Sequence, residues 1–480
     1  MNKHCLWLYA ASCLAFGSNT LLAQDNQPVA NYQVKYVGND QFQVDATFAV
    51  PTERLDLNSH DGSQRPNAQA ESVKSLQAFD AKNKPVPIVF TGRGTWELKQ
   101  GAASRISYRL VADHDLATWI AGKDEVASKF DKTFFFAGDA FFLINYDWPS
   151  RPINVDFQLP KGWMVTSPWT SKGTVFTAEN ADNLGTNAFS MGQDKAQQST
   201  TGDLQLTWLS DSRIKAADQH LIPLMDTLPK AFTQFWGGSP GNKLTVFFLS
   251  DPDTDGGAFR NSFVMRLATP LRDSERVIWE HTFGHEIMHV WMNNSNDGVR
   301  ISGDGSAYWF TEGFTDYLTV KLMRQSGLTD ENLANQRIAN QIRRYQIGKR
   351  LSPDVSLGAA GKQKHKNWEL IYGGGAMLAL LLDAELSQQS PTAFRDLMRQ
   401  VQHNKGVSYD NDRMLATLDA STNGRASALM AQVNKGLTLS EIRSMLAKSG
   451  VSVEGFASDE VYVTLMPCNK DVCASAFLRP

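Results

Sequence analysis

The sequence predicts an α+β protein in which a β-rich N-terminal domain is followed by a mainly helical domain. From about residue 32 to residue 209, short segments alternate apolar and polar residues, and clusters of Asn, Gly, Asp and Pro separate them. After Asp273, nearly every apolar pattern has helical spacing. Among the 480 residues, 42% are hydrophobic and 20% are charged, which is typical of a globular chain with a large core.

The β-rich domain is predicted from strands with a two-residue period. Such alternation turns one face of each strand toward a core and the other toward water. The clearest segments are residues 32–37, 41–48, 105–110 and 203–208. An aromatic-rich stretch, residues 134–148, is interpreted as sheet core. These patterns predict a β-sandwich or a curved sheet over most of the domain.

The helical domain contains clear start signals. Ser390-Pro391 is predicted to open one helix, and Thr438 with Glu441 forms a capping box for a later one. Between two helical patterns, residues 348–366 are so polar that we interpret them as a long loop.

The N-terminus has the layout of a secretory signal. Lys3 precedes an apolar run over residues 5–16, and small and polar residues follow as far as Ala23. We therefore expect residues 1–23 to be removed and the protein to be exported, to the periplasm or outside the cell. A lipoprotein anchored at Cys13 is the alternative.

The rest of the chain is expected to form three segments: a β-rich domain over residues 24–210, a helical domain over 211–450 and a tail over 451–480. After loss of the signal, Cys468 and Cys473 are the only cysteines. In an exported protein we expect them to form a small disulfide loop. The competing interpretation is that the two cysteines form one half of a metal site, but no second pair of ligands lies nearby in the sequence.

Charge and hydropathy argue against two kinds of partner. Lys and Arg number 47 against 50 Asp and Glu, a net charge of −3 that becomes −4 when Lys3 leaves with the signal. A nucleic-acid-binding protein would need a basic excess, which is lacking. No stretch of the mature chain approaches the roughly 18 apolar residues of a transmembrane segment.

The strongest chemical signal is His285-Glu286-x-x-His289. Histidines at positions i and i+4 lie on one face of a helix and can share a metal ion. Glu286 adjoins the first histidine, where it can reach a water on the metal rather than the metal itself. The alternative is an ordinary buried helix with two hydrogen-bonded histidines.

A catalytic zinc site uses three protein ligands and leaves its fourth position to water. Glu312 follows His289 by 23 residues, which is enough chain to pack a second helix against the first. Asp316 lies four residues later on the same helix face, so we expect it to bind the outer nitrogen of a ligand histidine. His281, one turn before His285, is expected to support the ligands without binding the ion. We therefore predict one Zn²⁺ held by His285, His289 and Glu312.

These motifs resemble the glycyl aminopeptidase family, peptidase family M61, among the gluzincin metallopeptidases. The resemblance rests on His285-Glu-x-x-His289 with Val290-Trp291, the run Trp309-Phe-Thr-Glu312-Gly-Phe-Thr-Asp-Tyr317, Gly256-Gly257 before Arg260-Asn261-Ser262, and Tyr372-Gly-Gly-Gly continuing to Asp383. It covers about residues 30–450. It implies a β-rich N-terminal domain and a thermolysin-like catalytic domain with one zinc ion.

The resemblance also implies metal-assisted hydrolysis of a peptide or protein substrate. Glu286 would be the general base, and Tyr372 would donate a hydrogen bond to the oxyanion. The substrate-binding residues that it implies are Gly256, Gly257, Arg260 and Asn261.

The chain departs from the family pattern where the substrate's free amine is held. Family members usually carry Gly-Gly-Leu-Glu-His before Arg-Asn-Ser. Here Ala258-Phe259 stand in place of Leu-Glu-His, so the segment is one residue shorter and lacks this glutamate. Asp253 or Asp255 is the nearby substitute. The lysine of the usual Tyr-x-Lys-Gly pattern is also missing after Tyr372.

These departures leave three functions open. We expect an aminopeptidase-like enzyme, with an endopeptidase of the same chemistry as the first alternative. The second alternative is a non-catalytic zinc protein that binds peptides. Glu286 favours catalysis, because a protein that only binds has no need of a general base.

Overall fold

The computed structural model describes residues 27–58, 66–112, 125–292, 299–403, 407–447, 449, 451–457 and 461–466. The described chain divides into two compact units. The first takes in the described residues up to 112 with Gly138–Lys161 and Trp169–Thr186, and the second takes in 125–137, Gly162–Pro168 and the described residues from Asn187 onward. The predicted α+β class is confirmed. The predicted boundaries at residues 23, 210 and 450 stay predictions.

The strands are numbered along the chain. They are β1 (Ala30–Gly38), β2 (Gln41–Thr52), β3 (Arg54–Asp56), β4 (Val73–Phe79), β5 (Pro85–Val86), β6 (Ile88–Gly92), β7 (Thr95–Leu98), β8 (Ala103–Val111), β9 (Ser128–Phe130), β10 (Thr133–Ala137), β11 (Ile153–Gln158), β12 (Met164–Thr166), β13 (Thr170–Lys172), β14 (Val175–Ala178), β15 (Ala188–Gly192), β16 (Gln197–Thr201), β17 (Leu204–Ser210), β18 (Lys243–Asp251), β19 (Asp255–Ala258), β20 (Ser262–Ala268), β21 (Arg300–Ile301), β22 (Ser408–Tyr409), β23 (Ser452–Ala457) and β24 (Val461–Met466).

The α-helices are numbered in the same way. They are α1 (Ala181–Gly185), α2 (Asp218–Trp236), α3 (Arg276–Met292), α4 (Thr315–Gln325), α5 (Glu331–Leu351), α6 (Leu357–Gly361), α7 (Trp368–Leu386), α8 (Ala393–His403), α9 (Asn411–Thr422), α10 (Arg425–Lys435) and α11 (Leu439–Ala447). A π-helical turn, Trp309–Phe314, leads into α4. Short 3₁₀ turns lie at Ala68–Ser72, Ser212–Ala217, Asp273–Glu275 and Lys364–Lys366.

The first unit is built on an eight-stranded sheet with the order β13-β14-β11-β1-β2-β8-β4-β5, and a three-stranded sheet has the order β3-β7-β6. β1 pairs antiparallel with β2 and parallel with β11. Along β1, Tyr32 and Val34 are buried and their neighbours are exposed, as the two-residue period predicts. The ring of Phe142 packs edge-on against Tyr32 with centroids 5.2 Å apart. The phenylalanine and tryptophan rings of residues 134–148, which were interpreted as sheet core, are buried, so this interpretation is confirmed.

The second unit contains a four-stranded sheet, β12-β15-β10-β9, and a five-stranded sheet, β16-β17-β18-β20-β19. In the five-stranded sheet, β17, β18 and β20 are parallel, and β19 returns antiparallel at the edge. β18 is buried over most of its length, as expected for a central parallel strand. The edge strand β19 lies against α3 and bears on the candidate site.

Helix α7 is the central helix of the second unit. Its residues from Gly373 to Ala384 are all buried, which is typical of a helix surrounded by others. The apolar run from Ala376 to Leu382 lies within this buried stretch. Among the described residues, no helix combines the length and the apolar character needed to cross a membrane.

Three consecutive glycines let other segments approach α7 closely. A Cβ atom on Gly373 would overlap the backbone of Tyr345 in α5, and one on Gly375 would overlap the carbonyl oxygen of Trp309. A Cβ on Gly374 would come within 2.5 Å of Leu357. These glycines weaken the helix by about 1 kcal/mol each relative to alanine. Their small size therefore serves packing, because it brings the π-helical turn directly onto α7.

The predicted helix starts agree with the structure. The Thr438 backbone donates to Glu441 over 2.7 Å, and the Glu441 backbone donates to the Thr438 hydroxyl over 3.2 Å. This reciprocal pair is the predicted capping box, and α11 follows it. Helix α8 begins shortly after Ser390-Pro391, also as predicted.

The prediction of a long loop over residues 348–366 is wrong. Helix α5 continues to Leu351, and α6 and a 3₁₀ turn occupy much of the remainder. The polarity of the segment was misleading because some of its polar groups have partners inside the protein. The Lys349 ammonium, for example, donates to the carbonyl oxygens of Pro353 and Asn434 at 2.7 Å each.

Candidate active site

Helix α3 carries the predicted metal ligands. His285 and His289 lie on one face of it, and both are buried. Their Nε2 atoms are 3.0 Å apart, so both nitrogens point toward the same small volume. Gly284 allows α3 to approach α4, because a Cβ atom there would lie 2.9 Å from Thr319.

The π-helical turn Trp309–Phe314 supplies Glu312. The carboxylate oxygen Oε2 of Glu312 lies 3.4 Å from Nε2 of His285 and 3.5 Å from Nε2 of His289. Ligand atoms about 2.1 Å from one tetrahedral zinc ion lie about 3.4 Å from each other. The three donor atoms could therefore hold a single metal ion, and two histidines with one carboxylate are a donor set that zinc accepts.

Asp316 and His281 lie behind these ligands. Oδ1 of Asp316 is 3.5 Å from Nδ1 of His285 and 2.7 Å from Nε2 of His281, while Gln341 donates to Oδ2 over 2.9 Å. Burial alone would raise the pKa of Asp316, but the two histidines outweigh it and hold the pKa well below its usual value. Asp316 thus faces the outer nitrogen of His285, where its charge favours the tautomer that turns Nε2 toward an ion.

The ligand side chains perturb one another strongly. Burial alone would lower the pKa of His285, but hydrogen bonds with Asp316 and Glu312 raise it to about 10. Burial alone would raise the pKa of Glu312, but hydrogen bonds with His285 and His289 lower it well below its usual value. The buried carboxylate therefore stays charged and available to a cation.

The side chain of Glu286 projects from α3 and lies against the edge strand β19. A Cβ atom on Gly256 would come within 2.7 Å of the Glu286 Cγ, so the strand passes close to the predicted base because residue 256 has no side chain. Burial raises the pKa of Glu286, opposed by the two ligand histidines and assisted by Glu312 and Asp255. Gly257 follows in the same strand, opposite Val264.

Tyr372 of α7 lies beside the metal ligands. Its ring stacks on that of His285 with centroids 5.7 Å apart and on that of Trp368 with centroids 4.7 Å apart. Burial raises the pKa of Tyr372 well above its usual value, and a hydrogen bond with Glu312 adds to the effect. The hydroxyl therefore keeps its proton and acts as a hydrogen-bond donor.

The structure places Arg260 and Asn261 in the turn that joins β19 to β20, several residues beyond Gly256. The Asn261 backbone donates to the Asn187 side chain over 2.8 Å, and its carbonyl oxygen accepts from Thr245 over 3.0 Å. These contacts shape the hairpin turn. A role for Arg260 and Asn261 in substrate binding stays a prediction.

Two residues at the site were not predicted from the sequence. The Nζ of Lys364 lies 2.7 Å from Oε1 of Glu312. Lys364 belongs to the short turn within the supposed loop, and no motif or spacing singled it out. Gln341, which holds Asp316, was likewise missed because only the packing of α5 brings it there.

Three other predictions concern residues outside the described ranges. The signal peptide over residues 1–23 and the pair Cys468 and Cys473 all lie there. The signal, its cleavage and the disulfide stay predictions.

Comparison with known proteins bears on the family. Residues 31–193 match the Peptidase M61 N-terminal domain. The resemblance to the M61 peptidases is confirmed. This match covers about a third of the chain, in the part where the sequence resemblance was weakest. Among curated protein sequences, no match was found.

Solved structures share the fold over most of the chain. An aminopeptidase N family protein from Idiomarina loihiensis has a TM-score of 0.73 and 17% identity, over 90% of this chain and 82% of its own. An M1 zinc metallopeptidase from Deinococcus radiodurans has a TM-score of 0.58 and 13% identity, over 86% and 95%. A mutant of that enzyme, bound to a Tyr-Ser-Ala substrate, has a TM-score of 0.53 and 15% identity, over the same shares. Together with the M61 match, the shared fold supports a metallopeptidase.

Proposed function

We propose that the protein is a zinc-dependent peptidase that uses Glu286 as its general base. The observation that carries this proposal is the triangle of His285, His289 and Glu312, with sides of 3.0, 3.4 and 3.5 Å. These distances suit one tetrahedral ion, and Glu286 directly follows His285 in α3. A buried helix that merely satisfied its two histidines would not need this convergence of three ligand atoms.

A bound zinc ion would supply an acidic water and polarise the scissile carbonyl group. Glu286 takes a proton from the attacking water and passes it to the leaving nitrogen. The raised pKa of Glu286 suits the first half of this task, because a carboxylate whose pKa is raised is a stronger base toward the water.

Tyr372 is the donor that we assign to the developing oxyanion. Its stacking on His285 fixes it beside the ligands, and its raised pKa keeps the hydroxyl protonated. A preorganised donor at such a position typically contributes about 10²–10³-fold to kcat.

We propose peptides as substrates, with aminopeptidase activity as the first expectation. The Tyr-Ser-Ala complex of the structurally similar M1 enzyme supports this class. An aminopeptidase must bind the substrate's terminal ammonium, and Ala258-Phe259 provides no carboxylate. Asp255 is the residue that we assign to this task, because it immediately precedes Gly256 and its charge acts on Glu286.

Export is proposed on the N-terminal sequence alone. Residues 1–23 have the charged start, apolar middle and small-residue end of a secretory signal. N-terminal sequencing of the mature protein from a cell-envelope fraction would test it. A chain that keeps Met1 and stays in the cytoplasm would contradict it.

The test of the peptidase compares matched peptides with free and acetylated N-termini, using zinc-loaded protein and a Glu286→Ala variant. We expect cleavage of the free-amine peptide to fall about 10²–10⁴-fold in the variant, and acetylation to protect the peptide. The aminopeptidase assignment also requires that Asp255→Asn raise the KM of the free peptide while leaving zinc content unchanged.

Each other outcome selects a different function. Equal cleavage of both peptides would make the protein an endopeptidase of the same chemistry. If wild-type protein cleaved neither peptide faster than Glu286→Ala does but still bound them, it would be a peptide-binding zinc protein.

A further inference from the structure

We propose that Lys364 is a positioning residue of the metal centre, which holds one oxygen of Glu312 so that the other faces the ion. The inference rests on the proposed zinc site. It assigns to this chain's own lysine a task that no motif in the sequence indicated.

The two oxygens of Glu312 face different partners. Oε2 lies 3.4 and 3.5 Å from the Nε2 atoms of His285 and His289. Oε1 lies 2.7 Å from the Nζ of Lys364, a distance typical of a charge-assisted hydrogen bond. The carboxylate is therefore already divided into a ligand oxygen and an oxygen held by the lysine.

The ammonium group of Lys364 lies close to two aromatic rings. Its Nζ lies 4.9 Å from the ring centroid of Tyr308 and 5.2 Å from that of Trp368, within the range of cation–π attraction. Its side chain is only 24% exposed. The ammonium group is thus placed largely by its surroundings, so it can act as a fixed point for Glu312.

The backbone around Lys364 is also anchored. Before it, Lys362 forms an ion pair with Asp304 over 3.2 Å. After it, the Asn367 side chain donates to the carbonyl oxygen of Gln363 over 3.2 Å, and Ser352 donates to Asn367 over 3.0 Å. The short turn that carries Lys364 is therefore tied to the rest of the second unit on both sides.

A carboxylate ligand normally has its free oxygen hydrogen-bonded, and losing such a partner typically costs 10–100-fold in metal affinity or activity. With Oε1 engaged, Glu312 offers a single oxygen and leaves a position open beside the histidines, as a catalytic zinc site requires. Without the lysine, Oε1 loses its charge-assisted partner. The hydrogen bond with Tyr372 then restrains Glu312 less completely, so that the carboxylate can rotate or offer both oxygens.

A lysine beside a metal ligand can also weaken zinc binding instead of supporting it. A lysine charge this close repels a divalent cation, and a lysine that only competed for Glu312 would weaken zinc binding. Removing it would then tighten the site. The sign of the change in zinc affinity therefore decides between a positioning lysine and a competing one.

The experiment measures zinc affinity of the full chain by competition with a chromophoric chelator. The variants are Lys364→Met, which keeps the length without the charge, and Lys364→Arg, which keeps a charged donor. Lys366→Met, an exposed lysine two residues along the same segment, is the matched control. Melting of each metal-free protein reports any general loss of structure.

We expect Lys364→Met to bind zinc 10–100-fold more weakly, with partial recovery in Lys364→Arg and no change in Lys366→Met. The metal-free proteins should melt at similar temperatures. In cobalt-substituted protein, Lys364→Met should show weaker visible absorption, as coordination rises above four when both oxygens of Glu312 bind.

Unchanged or tighter zinc binding by Lys364→Met would overturn the role of Lys364 while leaving the proposed peptidase intact. So would an equal loss in Lys366→Met, since the effect would then be one of net charge. Wild-type protein that bound no zinc would instead overturn the proposed function, and the inference with it.

Discussion

At the scale of single residues, the position of Glu286 depends on Gly256, which has no Cβ atom. Gly256 lets the edge strand pass so close that a Cβ atom would meet the Glu286 side chain at 2.7 Å. The glycine is needed here for proximity, and the strand itself is ordinary.

We expect Gly256→Ala to push Glu286 away from its position. A displacement of about 1 Å at a reacting group can cost about 10²-fold in rate, so kcat should fall by that order while zinc content stays at one ion per chain. Steady-state kinetics and metal analysis measure the two quantities. Gly238→Ala, where a Cβ atom meets open space, is the control, and an unchanged kcat in Gly256→Ala would contradict the close contact.

At the scale of elements, the packing contact between α7 and the π-helical turn positions both Tyr372 and Glu312. Gly313 and Gly375 face each other across it, so closely that a Cβ atom on either would overlap the other segment. A π-helical turn is itself rare and is frequent at functional sites. The glycines and the turn together set how far Glu312 reaches toward α3.

We expect Gly375→Ala to destabilise the protein although alanine is the better helix former. Overpacking costs about 1–3 kcal/mol or more, against a gain in helix propensity of about 1 kcal/mol. Urea unfolding would measure the change. Gly303→Ala, in open surroundings, should leave the unfolding free energy nearly unchanged, and an equally stable Gly375→Ala would show that the two segments can separate freely.

The capping box of α11 gives a pH dependence of known sign. Hydrogen bonds from the Thr438 backbone and hydroxyl lower the pKa of Glu441. Since the pKa is lower in the folded than in the unfolded state, the contribution is present above the unfolded value of about 4.3 and is lost as the pH falls through the folded value.

We therefore expect the destabilisation caused by Glu441→Ala to be larger at pH 6 than at pH 3. Urea unfolding of wild type and variant at the two pH values tests this. Glu441→Gln keeps the geometry without the charge, so its difference from wild type should also shrink at pH 3. A difference independent of pH in both variants would remove the charge from the explanation.

At the scale of the whole molecule, the ligands join two successive helical segments of the chain. His285 and His289 belong to α3, and Glu312 belongs to the π-helical turn. An ion bound by all three would link these segments and stabilise the folded state by mass action.

We expect removal of zinc by a chelator to lower Tm and its return to restore it. Zinc at 100 times its Kd adds about 2.7 kcal/mol to the unfolding free energy. Differential scanning calorimetry measures the shift. His289→Ala should melt at the same temperature with and without zinc, whereas an equal zinc-dependent shift in this variant would place the ion elsewhere.

Sequence reasoning found the parts of the site that local geometry determines. His285 and His289 follow from helical spacing, and Glu312 and Asp316 follow from the same rule on a second helix. It missed Lys364 and Gln341, because only the packing of distant segments brings them to Glu312 and Asp316.

The fold shows the same division. Period-two patterns predicted strands such as β1 and β2, and the capping box predicted α11. The supposed loop before α7 failed because polarity was taken as exposure, whereas Lys349 is buried with backbone partners. A backbone partner such as the carbonyl oxygen of Asn434 lies far from Lys349 in the sequence, so local composition does not reveal it.

The edge position of β19 has a consequence for how substrates are chosen. A sheet edge recognises an extended chain through main-chain hydrogen bonds, which every residue except proline can supply in full. A peptide aligned along β19 would be held by its backbone beside Glu286, whatever its side chains. Such an enzyme would accept peptides of many sequences. Replacing single backbone amides of a substrate by esters would weaken substrate binding more than exchanging most side chains.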